Sequence, residues 1–276
     1  MRVAVTGGGG FVGQHVVGEL KSRYKPVVID RVTGGDILAP DLGSKMRDCG
    51  AVIHLAGVLG TSELFSDAEH AVDVNVKGTL RVLQECREHR MRFVGITMPQ
   101  VWTNVYQATK GCAQKLASAW YEYYKVPVSH VRAFNAYGPG QKIYGVQKIV
   151  PTFCIKAWRN EPIPIWGSGE QTVDLVHVTD IARMLVDAIK FGDGQIFDAG
   201  TGVSHTVNEV AQLVLEITGS TAGVEYFPMR HGETEGTKLA ASGDGWNLLG
   251  WKPVWNLTEF EQTVNWFRQF ATRTAA

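Results

Sequence analysis

Tyr106 and Lys110 stand four residues apart in Tyr106-Gln107-Ala108-Thr109-Lys110, at the start of an amphipathic stretch that runs to Tyr124. Helical spacing puts both on one face. An ammonium near a phenol lowers the phenol's pKa, so the pair can take a proton from an alcohol hydroxyl. A second chemical feature opens the chain, where Thr6-Gly7-Gly8-Gly9-Gly10-Phe11-Val12-Gly13 follows the apolar run Val3-Ala4-Val5. This spacing predicts a strand turning sharply into a helix over Phe11 to Lys21. Glycines let the backbone approach a pyrophosphate, and the helix N-terminus adds free N–H groups and a positive dipole end. Pro26-Val27-Val28-Ile29-Asp30 reads as a second strand ending in an acid. An acid about twenty residues beyond the glycines can accept hydrogen bonds from adenosine ribose hydroxyls. Asp30 favours NAD over NADP, because a carboxylate repels a 2′-phosphate. Arg31 beside it could salt-bridge, stack on adenine or hold a phosphate. With a dinucleotide in place, the carbon that loses its hydroxyl proton to Tyr106 can pass a hydride to the cofactor, whose nicotinamide charge lowers the phenol pKa further.

Elements able to position these groups alternate through the first half. Strands are predicted at Val52–Ala56, Phe93–Thr97 and Val128–Phe134. Helices are predicted over 69–89, with Val72, Val76, Leu80 and Leu83 as the apolar stripe, and over 106–124, stopped before Pro127. The alternation predicts an α/β fold, a Rossmann-type doubly wound parallel sheet covered by helices on both faces. Beyond Tyr137-Gly138-Pro139-Gly140 the pattern loosens, with turns marked by Pro151, Pro162, Pro164, Gly167 and Gly169. Strands at Asp174–His177 and Ile196–Ala199 flank a helix over 179–191, and another helix spans 207–218. The expected organisation is a dinucleotide-binding domain over 1–137, to which 172–200 returns, and a smaller C-terminal α/β substrate domain over 138–171 and 201–276. Trp246, Trp251, Trp255 and Trp266 read as packing for that second domain.

The chain of 276 residues carries no net charge, which gives no pointer to nucleic acid or acidic membranes. Its cysteines, Cys49, Cys86, Cys112 and Cys154, are far apart and lack metal-ligand spacing. They read as reduced thiols of a cytoplasmic protein, and no metal is expected. Met1-Arg2 opens directly into the first strand, so no signal peptide is expected, and no apolar run reaches membrane-spanning length.

These residues resemble the extended short-chain dehydrogenase/reductase family, in its NAD-dependent nucleotide-sugar epimerase/dehydratase branch, over nearly the whole chain. The glycine turn is similar to TGxxGFxG. Gly35-Asp36-Ile37-Leu38 is similar to the segment whose acid meets adenine, His54-Leu55-Ala56-Gly57 to HLAA, and Asn75-Val76-Lys77-Gly78-Thr79 to NxxGT. Tyr106 and Lys110 match YxxxK. Arg132-Ala133-Phe134-Asn135-Ala136-Tyr137-Gly138-Pro139 is similar to RxxNxYGP, Asp174 to Ala182 to DFVHVxDxA, and Leu249-Gly250-Trp251-Lys252-Pro253 to LGWxP. The resemblance implies that Gly7, Gly10, Phe11, Val12, Gly13, Asp30, Arg31, Asp36, Ile37, Leu55, Ala56, Gly57, Asn75, Tyr106, Lys110 and Phe134 form the NAD site. Lys110 would hold the nicotinamide ribose as well as tune Tyr106. Asn135 would contact the substrate diphosphate, and Arg230, in Pro228-Met229-Arg230-His231-Gly232, would clamp it.

Three departures fall on the substrate side. Where the family keeps a Ser or Thr near the end of the fourth strand, counting back from Val101-Trp102 reaches Met98, whose thioether cannot donate a proton. Thr97 is the neighbour that can substitute, although adjacent strand residues face opposite sides. The acid pair that dehydratases carry next is Pro99 and Gln100 here. Thr103, Asn104 and Val105 alone separate Trp102 from Tyr106, where the family has a longer loop, which predicts a more open site. The arginine that usually precedes the aspartate of DFVHV is Val173.

The reading expected from all this is an NAD-dependent nucleotide-sugar epimerase of the UDP-glucose 4-epimerase type, acting by transient oxidation with Tyr106 as base, Lys110 beside it and Thr97 assisting. A sugar-nucleotide reductase or dehydrogenase is the enzymatic alternative. A dinucleotide-binding protein with catalysis impaired by Met98 is the non-enzymatic one. Helices 69–89 and 106–124 carry more apolar and aromatic residues than one sheet face needs, and the resemblance implies that they pair with a second copy's helices in a homodimer.

Overall fold

The alternating pattern folds as β1 (Arg2–Thr6), α1 (Phe11–Leu20), β2 (Lys25–Ile29), α2 (Leu42–Met46), β3 (Cys49–His54), α3 (Ala68–Ala71), α4 (Gly78–Glu88), β4 (Arg92–Thr97), α5 (Val105–Tyr124) and β5 (Val128–Ala133). There follow β6 (Asn135–Tyr137), α6 (Ile149–Trp158), β7 (Ile163–Trp166), β8 (Thr172–Val173), β9 (Leu175–His177), α7 (Val178–Asp187), β10 (Ile196–Ala199), β11 (His205–Thr206), α8 (Val207–Thr218), β12 (Val224–Phe227), α9 (Trp246–Leu249) and α10 (Leu257–Ala271). This is a computed structural model, and it describes residues 1–191, 193–243 and 245–271.

Six strands form one parallel sheet in the order β10-β5-β4-β3-β1-β2. The order reverses direction at β1 and β3, and the glycine turn leaves the carboxyl end of β1 beside that switch, where open α/β sheets bind ligands. Alternate residues of each strand enter opposite cores. Val3, Val5, Ile53, Val94 and Val131 pack with Val16 and Leu20 of α1 and Ile181 and Met184 of α7. Ala4, Val52 and Phe93 pack with Val82 and Leu83 of α4 and Ala117 of α5 on the other face. A third core joins Phe153 of α6, Val210 and Val214 of α8, and Phe260 and Phe267 of α10. Burial of this kind is worth about 1.5–3 kcal/mol per large apolar side chain.

Four expectations about the elements change. Helix 69–89 is not continuous: Val72–Lys77 widens into a π turn between α3 and α4, and Val72 is 49% exposed rather than part of the apolar stripe. The strand expected through Phe134 splits, because the Phe134 amide bonds the Ala199 carbonyl while the Asn135 amide bonds that of Asp174. The chain thereby passes from β10 to β9 as its partner. Within 172–200, α7 and β10 return to the large sheet, whereas β8 pairs with β11. Trp246 and Trp251 pack against the first core, whereas Trp255 and Trp266 serve the third.

Candidate active site

The glycine turn is built by backbone crowding. Gly7 has φ 72°, and a Cβ there would lie 2.6 Å from the Ala56 nitrogen. A Cβ on Gly13 would lie 2.2 Å from the Gly7 carbonyl oxygen, so the helix packs on the strand only without one. The N-cap of α1 is Gly10, with no side-chain cap, which leaves the N–H groups of the first turn unclaimed by the helix. Asp30 accepts from the Gly9 amide at 2.9 Å and from the Val32 amide at 3.0 Å. Its carboxylate is thus fixed at the lip of the turn. A backbone cradle that side chains would fill, an uncapped helix start and a fixed carboxylate suit the pyrophosphate and ribose of a dinucleotide. Arg31 is exposed beside it.

The cradle's second wall is the end of β3. Thr6 Oγ1 pairs with His54 Nδ1 at 2.7 Å and accepts from the Ala56 amide at 3.3 Å, and the Leu55 amide bonds the Thr6 carbonyl. Leu55, Ala56 and Gly57 therefore run along the turn. Three residues expected at the cofactor have side chains engaged within the chain. Ile37 is core, against Gly78, and only its backbone is available; the Asp36 carboxylate is used on the Leu38 amide at 2.8 Å. Asn75 is buried, with its amide spent on Val58 (Oδ1 from the amide at 2.9 Å, Nδ2 to the carbonyl at 3.0 Å) and on Thr109 Oγ1 at 3.1 Å. It shapes the cradle as a clamp.

The shortened segment after β4 makes the start of α5. Asn104 has extended backbone and caps the helix by accepting from the Gln107 amide at 2.9 Å. Gln107 Oε1 in turn accepts from the Trp102 amide at 2.8 Å. This fixes Tyr106 in the first turn and Lys110 one turn on, beneath it and buried. Burial pushes the Tyr106 phenol up to about 12 and the Lys110 ammonium down to about 8. In the protein alone, lost hydration thus moves the phenol in the direction opposite to the expected depression.

Thr97 is engaged as well. Its hydroxyl donates to Gln114 Oε1 at 2.8 Å, beneath α5. Gln114 lies two turns, about 12 Å of helix, from Tyr106. In this structure the hydroxyl is therefore spent on α5 two turns along from Tyr106. Met98 is half-buried next to it.

On the substrate side, Phe134 packs against the first core and Asn135 presents a buried Oδ1 that has no partner among the described residues, a group free for a ligand. Arg230 is caged: Nη2 donates to Ser62 Oγ and to Glu63 Oε1, each at 3.1 Å, and Nη1 lies 3.5 Å from Glu233 Oε1. The mouth is bridged rather than open. Asn104 Nδ2 donates to the Gly232 carbonyl and Trp102 Nε1 to Thr237 Oγ1, both at 3.0 Å, so the segment around Arg230 straps onto the clipped loop. Val173 lies in the third core.

Sequence reasoning missed Thr6, Thr109, Gln114 and His130. Thr6 opens the glycine motif and could have been found there; the other three lie in elements already assigned and have no local signal. Among the described residues no group of acids, histidines and cysteines could hold a metal, and no helix is long and apolar enough to cross a membrane.

The sequence matches the family described as NAD dependent epimerase/dehydratase over residues 3–100 and 96–200. It is 26% identical over 302 residues to a putative UDP-glucose 4-epimerase of Methanocaldococcus jannaschii, covering 96% of this chain and 98% of that one. It is 24% identical over 320 residues to human dTDP-D-glucose 4,6-dehydratase, covering 97% and 90%. In structure it resembles the Thermotoga maritima UDP-glucose 4-epimerase with UDP-glucose, at TM-score 0.90, 25% identity and 98% and 99% coverage. It also resembles the Thermus thermophilus UDP-glucose 4-epimerase in complex with NAD, at TM-score 0.87, 25% identity and 97% and 99% coverage.

Proposed function

The chain belongs to the NAD dependent epimerase/dehydratase family, as an NAD-dependent enzyme of the extended short-chain dehydrogenase/reductase type, and on that premise we propose that it is a nucleotide-sugar 4-epimerase acting on a UDP-sugar. The observation that carries this reading is the contrast between a complete Tyr106–Lys110 pair on α5 and the absence of acids at Pro99 and Gln100. Relatives include dehydratases and epimerases, and dehydration needs an additional general acid and base beside the sugar. Epimerisation by transient oxidation needs one proton acceptor and a hydride acceptor.

Bound NAD would supply the hydride acceptor at the sugar carbon and return the hydride. The glycine turn and the first-turn amides of Phe11, Val12 and Gly13 would hold its pyrophosphate. Asp30 would accept from the adenosine ribose hydroxyls, and Leu55–Gly57 would line the far side. Lys110 would donate to the nicotinamide ribose. Tyr106 would take the proton from the sugar hydroxyl at its phenolic oxygen and give it back. A protein phenol near 12 is a poor base at neutral pH, so the positive charge beside it, from Lys110 and the oxidised cofactor, has to bring it down. Asn135 and Arg230 would meet the substrate diphosphate, with Arg230 exchanging Glu63 for phosphate oxygens.

The proposed assembly is a homodimer through α4 and α5, in the cytoplasm. Tyr123 at 83% exposure and Tyr124 at 45% support it, while Trp120 and Tyr121 pack inward on the core.

Incubating the protein with NAD and UDP-galactose, and separating the nucleotide sugars, tests the function. The expected result is UDP-glucose with no net rise at 340 nm. A stoichiometric rise in NADH would instead make it a dehydrogenase, and neither change with any UDP-sugar would leave it a dinucleotide-binding protein.

A further inference from the structure

Behind Lys110, three adjacent strands align one residue each. His54 of β3 is in register with Gly95 of β4, and Gly95 with His130 of β5. Gly95 has no side chain, and the rings of Phe93 and His130 close over the place a Cβ would take. A Cβ there would lie 2.9 Å from His130 Cδ2 and 2.8 Å from the Phe93 ring. Beside these rings lies a void of about 10 Å³ lined by His54, Gly95, Lys110, Gln114 and His130, among others. That is about the room one water needs.

The two histidines differ. His54 is fully engaged, with Nδ1 on Thr6 Oγ1 at 2.7 Å and Nε2 on Thr79 Oγ1 at 3.0 Å. His130 is 5% exposed, and among the described residues neither of its ring nitrogens has a hydrogen-bond partner. Neither nitrogen is completely sealed off, so a water is the partner open to it. Lys110 enters the same void from α5, and no carboxylate lines it.

We propose that His130 is a positioning residue for Lys110: the imidazole and the amine share one water in this void, which anchors the lysine from behind and helps it stay charged. The proposal rests on the role given to Lys110 above. Lys110 donates to the water, and the water donates to a ring nitrogen of His130. Gln114 Oε1 is taken by Thr97, which leaves its Nε2 to donate as a third partner. The titratable groups facing Lys110 are Tyr106 on its own helix, His54 from β3 and His130 from β5. Burial holds the two imidazoles down, at about 3 and about 4, so both are neutral when the lysine titrates. A neutral imidazole can accept from the water, whereas an apolar side chain there would leave the ammonium less well solvated.

The test is a titration of Lys110 in the protein without cofactor, by NMR of 13Cε-labelled lysine, with the resonance assigned by its loss in Lys110→Arg. His130→Leu should lower the lysine's proton affinity at least tenfold, and His130→Gln, whose amide can also bond water, should restore it to within about threefold. In the active enzyme the alkaline limb of kcat should shift by the same factor, with KM for the sugar nucleotide unchanged. A His130→Leu titration within threefold of the wild type would overturn the proposal. Should that variant not fold, His130→Met, equally apolar, is expected to show the same shift, and no shift there would equally overturn it. The NMR reading needs no turnover, so a wild-type protein that fails to epimerise would count against the proposed function and not against this role of His130.

Discussion

Asn75 donates to the Thr109 hydroxyl at 3.1 Å, tying the π turn after α3 to the helix that carries Tyr106 and Lys110. The same side chain clamps Val58 in both directions. Two walls of the candidate site therefore share one buried amide. Asn75→Ala strands the Val58 N–H and C=O, and each buried orphan costs about 1–3 kcal/mol. The protein should lose about 2–4 kcal/mol in urea denaturation, with NAD affinity falling alongside. An unchanged midpoint would show that the clamp is solvated from elsewhere.

Lys110 gives a pH prediction with a definite sign. Its folded pKa, about 8, lies below the unfolded 10.5. The folded state binds fewer protons between those values, so the cost of the buried ammonium is complete below pH 8 and is relieved as pH rises toward 10.5. The difference corresponds to about 3 kcal/mol. In the absence of cofactor, Lys110→Met should be more stable than the wild type by about 1–3 kcal/mol at pH 7, and the gap should narrow at pH 9.5. Denaturation curves at the two pH values check this, and a gap independent of pH would contradict it.

Much of this arrangement is legible in the sequence because it is local. Gly7 to Gly13 and Asp30 define a strand, turn, helix and strand through spacing alone, and β10 and α8 fall on their predicted residues. The misses are long-range. Nothing near Thr97 says that Gln114 will take its hydroxyl, and nothing near Trp246 or Trp251 says that they pack on the first core. The register that puts Gly95 between His54 and His130 exists only once three strands have paired. The π turn escapes periodicity because it still presents helical spacing on both sides.

Asp30 sets cofactor choice through charge. Asp30→Asn keeps an acceptor for the Gly9 amide but removes the repulsion toward a 2′-phosphate. The preference for NAD over NADP, measured as a ratio of dissociation constants, should fall by about tenfold, the scale of one screened charge interaction. An unaltered ratio would place the discrimination elsewhere, with Arg31 the neighbour to examine.

Arg230 must exchange a carboxylate for a phosphate to act as a clamp, since Glu63 holds it at 3.1 Å. Glu63→Gln weakens that hold and keeps the shape. KM for the sugar nucleotide should fall about threefold to tenfold while kcat stays within twofold, whereas a rise in KM would mean that Glu63 itself contacts the substrate.

The most direct measurement follows deuterium at C4 of UDP-glucose through turnover with NAD, by proton NMR. Wild-type protein should yield UDP-galactose with the deuterium kept at C4, and Tyr106→Phe should slow product formation by about 10²–10⁴-fold while still binding NAD. Product formed at the wild-type rate by Tyr106→Phe, or deuterium lost to solvent, would contradict a proton taken by this phenol and a hydride returned to the same carbon.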